Sequence, residues 1–290
     1  MKIENGMVTM TQDERTVENQ IWLLKGMFTE DQNKYPLSLD ALSLAVSCHK
    51  GQLREDGKPY ISHPLSMACM AKGLGLRDDV LYATLLLHDV CEDCGIKIQD
   101  VSESSQVRNA VRLMTVAPFR YDLTKADVKR RYFEDLLQSR EALIGKALDR
   151  IDNLESMVGV FSRERALKNW RETYYLLMPT LKRAKETLNM RDHDLLHILR
   201  GRLRSNLKWS MAYYNFTEQE LYTPYGSMSF EQKPIHNESN TAEYEHPEFC
   251  EPRYSIQVPA PPQGMPDQSQ VATSEPAPLR SVNEPHKEGQ

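Results

Sequence analysis

The amino-acid sequence predicts an all-α domain followed by a disordered tail. Apolar residues recur at helical spacing through the first 222 residues, one segment is apolar on nearly every side, and no series of alternating strands is found. The last 68 residues have a different composition. We therefore expect a helical domain over residues 1–222, with its core at about 39–188, and a separate tail over 223–290.

The N-terminal half is predicted to form four helices. In residues 16–28, and again in 39–49, apolar positions fall three or four residues apart. Pro64 stands just inside the start of a helix over 65–74, where its missing N–H removes no intrahelical bond, and glycines mark the end of that helix. Residues 80–88 are apolar on nearly every side, which indicates the central helix of the core.

The rest of the domain continues the helical pattern. Asp78 or Asp79 is placed to cap the central helix at its N-terminus. Further helices are predicted over residues 105–115, 125–137, 141–157, 164–188 and 194–214.

The net negative charge of the chain is concentrated in the tail. The 290 residues carry 36 Lys and Arg against 41 Asp and Glu, for a net charge of −5. Residues 223–290 hold 4 basic and 10 acidic side chains and 11 of the 16 prolines, so the preceding domain is nearly neutral. We expect the tail to be disordered, because so few apolar clusters cannot offset the entropy cost of ordering it. The neutral domain argues against a nucleic-acid partner.

The sequence predicts a cytoplasmic protein without a membrane segment. No apolar run reaches the roughly 18–20 residues of a membrane span. The first 13 residues lack the basic and then apolar pattern of a secretory signal. Five cysteines without a disulfide-rich spacing indicate a reducing compartment, and we interpret the C-x-x-C pair Cys91 and Cys94 as packed thiols.

The strongest chemical signal is the dipeptide His88-Asp89 at the end of the central helix. Adjacent helical residues point about 100° apart, so both side chains reach one ion only from a helix end. A mixed nitrogen and oxygen set suits Mn, Fe, Mg or Zn. Glu92 and Asp93 follow one turn later and are candidates to position or deprotonate water. The alternative is a capping aspartate beside a packed histidine, followed by a solvated acidic helix end.

Two further positions join this candidate site. His63 directly precedes Pro64, and we expect it to be held in an extended conformation. Asp149 and Asn153 are four residues apart and share a helix face. A buried aspartate needs a partner, either Arg150 or a cation. Each of these residues taken alone is more typical of a structural role.

Four ordered blocks then carry a family resemblance: HKGQLR at 49–54, GKPYISHP at 57–64, LLLHDVCED at 85–93 and KALDRIDN at 146–153. Over residues 40–185 the chain resembles the HD hydrolase domain of the RelA/SpoT homologue family, and is most like the stand-alone small alarmone hydrolases, including the metazoan SpoT-like ones. The resemblance implies an all-helical HD fold and one divalent metal ion, usually Mn²⁺. It also implies hydrolysis of the 3′-pyrophosphate of (p)ppGpp to GDP or GTP and pyrophosphate.

The resemblance also implies a role for each matching residue. The metal ligands are His63, His88, Asp89 and Asp149. Glu92 and Asp93 orient and activate the attacking water. Arg54 stacks on the purine, and Asn153 contacts the nucleotide.

Two residues depart from the family pattern. Glu55 replaces the usual basic residue after the stacking arginine, and Asp152 replaces a histidine in the fourth block. Both changes leave other substrates open, such as (p)ppApp or NADPH. A nucleotide-binding HD module without turnover is the non-enzymatic alternative. The basic stretch 200–208 is interpreted as a solvated face. The alternatives are a surface that attracts phosphate groups and a dimer-forming surface of a homo-oligomer.

Overall fold

The computed structural model describes residues 2–4, 7–9, 11–30, 34–115, 125–184 and 190–222. All of them belong to one compact unit, Met1–Pro234. The second unit, Ile235–Gln290, and the rest of the predicted disordered tail lie outside the described residues, as do residues 185–188 of a predicted helix.

The described chain is built almost entirely of α-helices, as predicted. They are α1 (Gln12–Glu30), α2 (Pro36–Cys48), α3 (Ser62–Gly73), α4 (Asp79–Leu87), α5 (Val90–Asp93), α6 (Ser105–Met114), α7 (Lys125–Asp135), α8 (Arg140–Ser156), α9 (Arg163–Glu172), α10 (Met178–Arg183), α11 (Met190–Tyr214) and α12 (Glu218–Tyr222). Short 3₁₀ turns span Ile98–Asp100 and Leu136–Gln138, and a π-helical turn over Thr173–Leu177 joins α9 to α10.

The sequence did not predict the small hairpin at the N-terminus. Strand β1 (Lys2–Glu4) pairs antiparallel with β2 (Met7–Thr9), so that Ile3 lies opposite Val8. Strands of three residues are shorter than the roughly four to eight residues over which an alternating pattern is recognised. The helical domain class is unaffected by this addition.

Helix α4 is the centre of the core, as its composition predicts. All residues from Leu81 to Leu87 are buried, and α2, α3, α6 and α8 pack around the helix. Burying each leucine side chain contributes about 1.5–3 kcal/mol, so this helix anchors its neighbours. Helix α8 also packs against α11.

Two adjacent aspartates fix the start of α4 and its neighbour α2. The side chain of Asp78 caps α4 by accepting a hydrogen bond from the N–H of Leu81 at 2.9 Å. Asp79 instead accepts from the N–H groups of Leu37 and Ser38, at 3.0 and 2.8 Å, and so caps α2. Of the two predicted capping residues, Asp78 therefore serves the central helix, and Asp79 joins two helices of the core.

Candidate metal centre and cleft

The four predicted ligands lie together where α3, α4 and α8 pack against one another. Nε2 of His63 lies 3.2 Å from Oδ1 of Asp149 and 3.7 Å from Oδ2 of Asp89. Nε2 of His88 lies 2.9 Å from the same Asp89 oxygen and 4.0 Å from Asp149 Oδ1. His63, His88 and Asp149 are buried and offer ligand atoms that all lie within 4.8 Å of one another. This group is consistent with a divalent metal ion.

The local chain path explains how neighbouring residues reach one point. Helix α4 ends at Leu87, and His88 and Asp89 form the turn before α5. Their side chains therefore approach the centre from a helix end, as the spacing predicts. The extended conformation expected for His63 is wrong, because α3 begins at Ser62 and includes it. Pro64 then falls in the first helical turn, where a missing N–H costs no hydrogen bond.

Hydrogen bonds hold both imidazole rings with Nε2 towards the centre. Nδ1 of His88 lies 2.9 Å from the carbonyl oxygen of Leu85, which can only accept, so this nitrogen carries the proton. Nδ1 of His63 lies 2.6 Å from Oδ2 of Asp152. In the neutral form of each ring, a proton on Nδ1 leaves a lone pair on Nε2, which is the arrangement that metal ligation needs.

The position of His88 Nε2 fits a cation. This buried atom has no hydrogen-bond partner of acceptable geometry within the described part of the chain, although the Asp89 carboxylate lies 2.9 Å away. When the ring is neutral, its lone pair faces a carboxylate oxygen in a buried site, which is unfavourable because both atoms carry negative partial charge. A divalent cation among these atoms removes that conflict.

Asp149 has a different charge partner from the one considered in the sequence. Nζ of Lys146 lies 2.7 Å from Asp149 Oδ2, one helical turn earlier on α8. Arg150, one of the two partners that the sequence left open, points elsewhere and contacts Glu172 and Asn169. The reason is helical geometry, since adjacent residues point about 100° apart while residues three apart share a face.

The shared face predicted for Asn153 is confirmed. Nδ2 of Asn153 donates to Oδ1 of Asp149 at 2.5 Å. The Asp149 carboxylate thus has contacts on both oxygens before any ion binds.

Tyr60 and His49 support Asp89 from the loop before α3. The hydroxyl of Tyr60 donates to Oδ2 of Asp89 at 2.8 Å. His49 is buried and stacks on the Tyr60 ring at 4.7 Å between centroids. Tyr60 lies in the second of the four sequence blocks, but nothing in that block showed which residue its hydroxyl would reach.

The surrounding charges strongly shift the titration of the ligands. Burial by itself lowers the pKa of His63, but hydrogen bonds and charges from Asp149 and Asp152 raise it to about 10. Burial by itself raises the pKa of Asp89, but the two histidines bring it well below its ordinary value. The pKa of Asp149 is likewise lowered, because Lys146 and His63 outweigh its burial. Without a bound cation, ionised carboxylates therefore surround a positively charged His63 ring, and a cation that binds there must displace the proton from its Nε2.

A cleft of about 330 Å³ opens onto three of the four predicted ligands, His63, Asp89 and Asp149, and is also lined by both predicted substrate-binding residues. It is lined by Leu53, Arg54, Glu55, Asp56, Tyr60, His63, Asp89, Lys146, Asp149, Asn153, Ser156, Val160, Phe161 and Arg165. Arg54 and Asn153 thus lie beside the predicted metal ligands. Lys146 and Ser156 also line the cleft, although no role in the site was predicted for either residue.

Three hydrogen bonds to α8 hold the Arg54 guanidinium against the cleft wall. It donates to Asp152 Oδ2 at 2.9 Å, to Ser156 Oγ at 2.8 Å and to Asn153 Oδ1 at 3.4 Å. A planar guanidinium held at its edge keeps its face available for stacking on an aromatic base.

Glu55 lies at the exposed rim of this cleft. Its carboxylate forms an ion pair with Arg165, whose guanidinium lies 3.8 Å from the centroid of the Phe161 ring. The arginine partly offsets the charge of the acidic residue that departs from the family pattern.

Glu92 and Asp93 lie on α5, one turn beyond Asp89, and both are exposed. The backbone N–H of Asp93 donates to the carbonyl of Asp89 at 2.9 Å, and its own carbonyl accepts from Gln52 at 3.2 Å. Neither residue is among the described residues that line the cleft. Their predicted part in water activation stays a prediction.

Comparison with known proteins finds relatives of the region that carries these residues. A family model described as an HD domain matches residues 41–116. A probable guanosine-3′,5′-bis(diphosphate) 3′-pyrophosphohydrolase of Synechocystis sp. is 29% identical over 149 residues, covering 49% of this chain and 19% of that protein. The bifunctional (p)ppGpp synthase/hydrolase SpoT of Escherichia coli is 29% identical over 168 residues, covering 56% of this chain and 23% of that protein.

A solved structure described as "A metazoan ortholog of SpoT hydrolyzes ppGpp and plays a role in starvation responses" covers 64% of this chain and 91% of its own, with 21% identity and a TM-score of 0.39. The chain spans about a fifth of the length of the two curated relatives. None of the described helices is long and apolar enough to cross a membrane. Residues 41–116 are thus similar to an HD domain, and over about half of its length the chain is similar to SpoT and to a probable 3′-pyrophosphohydrolase.

Proposed function

We propose that this chain is a metal-dependent phosphohydrolase that removes the 3′-pyrophosphate of (p)ppGpp. Water is added across the bond between the 3′-oxygen and phosphorus, which yields GDP or GTP and pyrophosphate. The proposal rests on two oriented imidazoles and two carboxylates that lie close together. Three of these four side chains line a cleft that is also lined by Arg54 and Lys146. The similarity to proteins named for this activity supports the choice of substrate.

The proposed ligands are His63, His88, Asp89 and Asp149, and the proposed ion is Mn²⁺. When bound, a divalent cation lowers the pKa of coordinated water and offsets charge on the pyrophosphate. Imidazole and carboxylate donors suit Mn²⁺ as well as Fe²⁺ or Zn²⁺, and the resemblance favours Mn²⁺ among them.

The remaining residues bind and orient the nucleotide in this proposal. Arg54 stacks on the purine and Asn153 contacts the nucleotide. Lys146, on the cleft wall, offers a positive charge near the leaving pyrophosphate. Glu92 and Asp93 orient the attacking water and accept its proton.

A second candidate substrate follows from Glu55. Its carboxylate lines the exposed rim of the cleft, where a polyphosphate would meet a negative charge that the exposed pair with Arg165 only partly offsets. This observation favours a nucleotide with a different base or a different distribution of phosphate groups, such as (p)ppApp or NADPH.

Metal-dependent turnover tests the proposal. Metal-free protein is supplied with Mn²⁺ and ppGpp, and GDP and pyrophosphate are followed before and after addition of a chelator. Equal release of both products that stops with chelator supports the proposal. Turnover of only (p)ppApp or NADPH in the same assay supports the second candidate. Binding of ppGpp without any product would instead indicate a non-catalytic nucleotide-binding module.

A further inference from the structure

Asp152 touches both the candidate metal centre and the candidate nucleotide site. It lies on α8, is buried, and shares one oxygen, Oδ2, between His63 Nδ1 at 2.6 Å and Arg54 Nη1 at 2.9 Å. These two contacts come from different parts of the chain, α3 and the loop before it. A single carboxylate oxygen therefore links the two halves of the candidate site.

The contact with His63 decides which ring nitrogen faces the metal site. A carboxylate oxygen only accepts, so it requires the proton on Nδ1 and leaves Nε2 of the neutral ring with its lone pair towards Asp149 and Asp89. It also fixes the rotation of the ring and makes Nε2 a stronger donor to a cation. His88 is oriented in the same way by a neutral backbone carbonyl, which lacks the negative charge.

The contact with Arg54 uses the same oxygen. The guanidinium donates to Asp152 at the cleft wall, and Ser156 accepts from a second N–H group at 2.8 Å. One carboxylate oxygen thus contacts two side chains that belong to different segments and have different further partners.

We propose that Asp152 is a positioning residue that orients His63 for metal binding and anchors Arg54 at the nucleotide site. The inference rests on the proposed function, because it requires His63 to be a metal ligand. Asp152, which stands where the family pattern has a histidine, would thus have a structural role in the site. The residue acts through His63 and Arg54 and does not touch the reacting atoms.

The test is titration of metal-free protein with Co²⁺, followed by the visible absorption of the bound ion. Asp152→Asn keeps the shape of the side chain but removes its charge. We expect the affinity for Co²⁺ to fall by about 10–100-fold, with a changed absorption spectrum. The matched control is Asp135→Asn, which alters another buried aspartate that does not line the cleft and should leave both readings as in wild type.

Arg54→Gln separates the two contacts of Asp152. This variant should keep the wild-type Co²⁺ affinity and spectrum while raising the KM for ppGpp. Asp152→Asn should raise that KM as well, because the anchor of Arg54 is weakened. Wild-type Co²⁺ affinity and an unchanged spectrum in Asp152→Asn would overturn the inference.

A measurement on the wild-type protein covers the case in which Asp152→Asn does not fold. In the Zn²⁺-loaded protein, NMR should show a proton on Nδ1 of His63, assigned by its loss in His63→Gln. Absence of that proton would contradict the inference. If the wild-type protein binds no metal, the proposed function fails together with the inference, whereas a wild-type-like Asp152→Asn overturns the inference alone.

Discussion

Oδ1 of Asp149 lies 3.2 Å from Nε2 of His63, while its other oxygen lies 2.7 Å from Nζ of Lys146. The aspartate is buried on α8 and the histidine is buried on α3. The carboxylate therefore joins a candidate metal ligand to a lysine on the cleft wall. In the absence of a metal ion, the positive charges of Lys146 and of protonated His63 balance this buried carboxylate.

Removing the lysine should destabilise the metal-free protein. In Lys146→Met the buried Asp149 carboxylate loses its main charge partner, and breaking such a pair from one side costs about 3–5 kcal/mol. Urea unfolding of the metal-free variant measures the loss. Excess Mn²⁺ should restore part of it, by about 2.7 kcal/mol at a concentration of about 100 times Kd.

The control for this prediction is Arg183→Met, which removes the cation of the pair between Arg183 and Glu134, both of which are exposed. Exposed pairs contribute only about 0–1 kcal/mol. Equal losses in the two variants, or no restoration by Mn²⁺ in Lys146→Met, would contradict the account of Asp149 as a metal-facing carboxylate.

Metal affinity should rise with pH because of His63. Neighbouring carboxylates raise the pKa of this histidine to about 10, so it is protonated at neutral pH in the metal-free protein, and a cation must displace that proton. We expect the affinity for Mn²⁺ to increase by roughly tenfold for each unit between about pH 6.5 and 8.5. Calorimetry in buffers of different ionisation enthalpy should detect about one released proton. A pH-independent affinity would contradict the assignment of His63 as a ligand.

The same histidine should make the stability of the metal-free protein fall at alkaline pH. Its pKa is higher in the folded state than the value of about 6.5 in an unfolded chain. Its contribution to the free energy of unfolding is therefore full below about pH 6.5 and is lost as the pH rises through about 10. Thermal unfolding of wild type and His63→Gln across this pH range measures the contribution. Identical pH slopes in the two proteins would show that His63 does not contribute.

Reversing the charge at residue 55 should favour a more anionic substrate. Glu55→Lys places a second positive charge beside Arg165 at the rim of the cleft. We expect a lower KM for ppGpp, with little loss of stability because the exposed pair with Arg165 contributes only about 0–1 kcal/mol. Glu103→Lys makes the same change in net charge at an exposed position that does not line the cleft. An equal fall in KM in both variants would indicate a general charge effect.

The acidic pair on α5 should affect turnover rather than metal binding. Glu92→Gln and Asp93→Asn remove proposed proton acceptors, and general base catalysis is typically worth about 10²–10⁴-fold in rate. We expect kcat to fall by that order while the affinity for Mn²⁺ stays as in wild type. Glu103→Gln is the matched control, since it removes an exposed acidic side chain outside the cleft. Wild-type kcat in both α5 variants would exclude these residues from proton transfer.

Local patterns in the sequence were sufficient to predict the framework of the site. The apolar run 80–88 predicted the buried α4, and its end placed His88 and Asp89 at a helix terminus. The spacing of Asp149 and Asn153 predicted the shared face on which their side chains form a hydrogen bond. Each of these inferences depends on residues within a few positions of one another, where helical geometry is decisive.

Contacts between distant segments could not be predicted in this way. Asp152 binds His63 and Arg54, which belong to other segments, and a departure from a family pattern does not reveal a new partner. The ion pair between Glu55 and Arg165 likewise joins two segments that are far apart in the sequence. That Lys146 rather than Arg150 pairs with Asp149 could have been predicted from the sequence, since of these two cations only Lys146 lies one helical turn from Asp149.

The most direct test compares wild type with Asp89→Ala in ppGpp hydrolysis with Mn²⁺ supplied. The account predicts chelator-sensitive release of GDP and pyrophosphate by wild type, and a loss of at least about 10³-fold in rate in Asp89→Ala, because a carboxylate of the metal centre is removed. Hydrolysis of ppGpp by Asp89→Ala at the wild-type rate would contradict it.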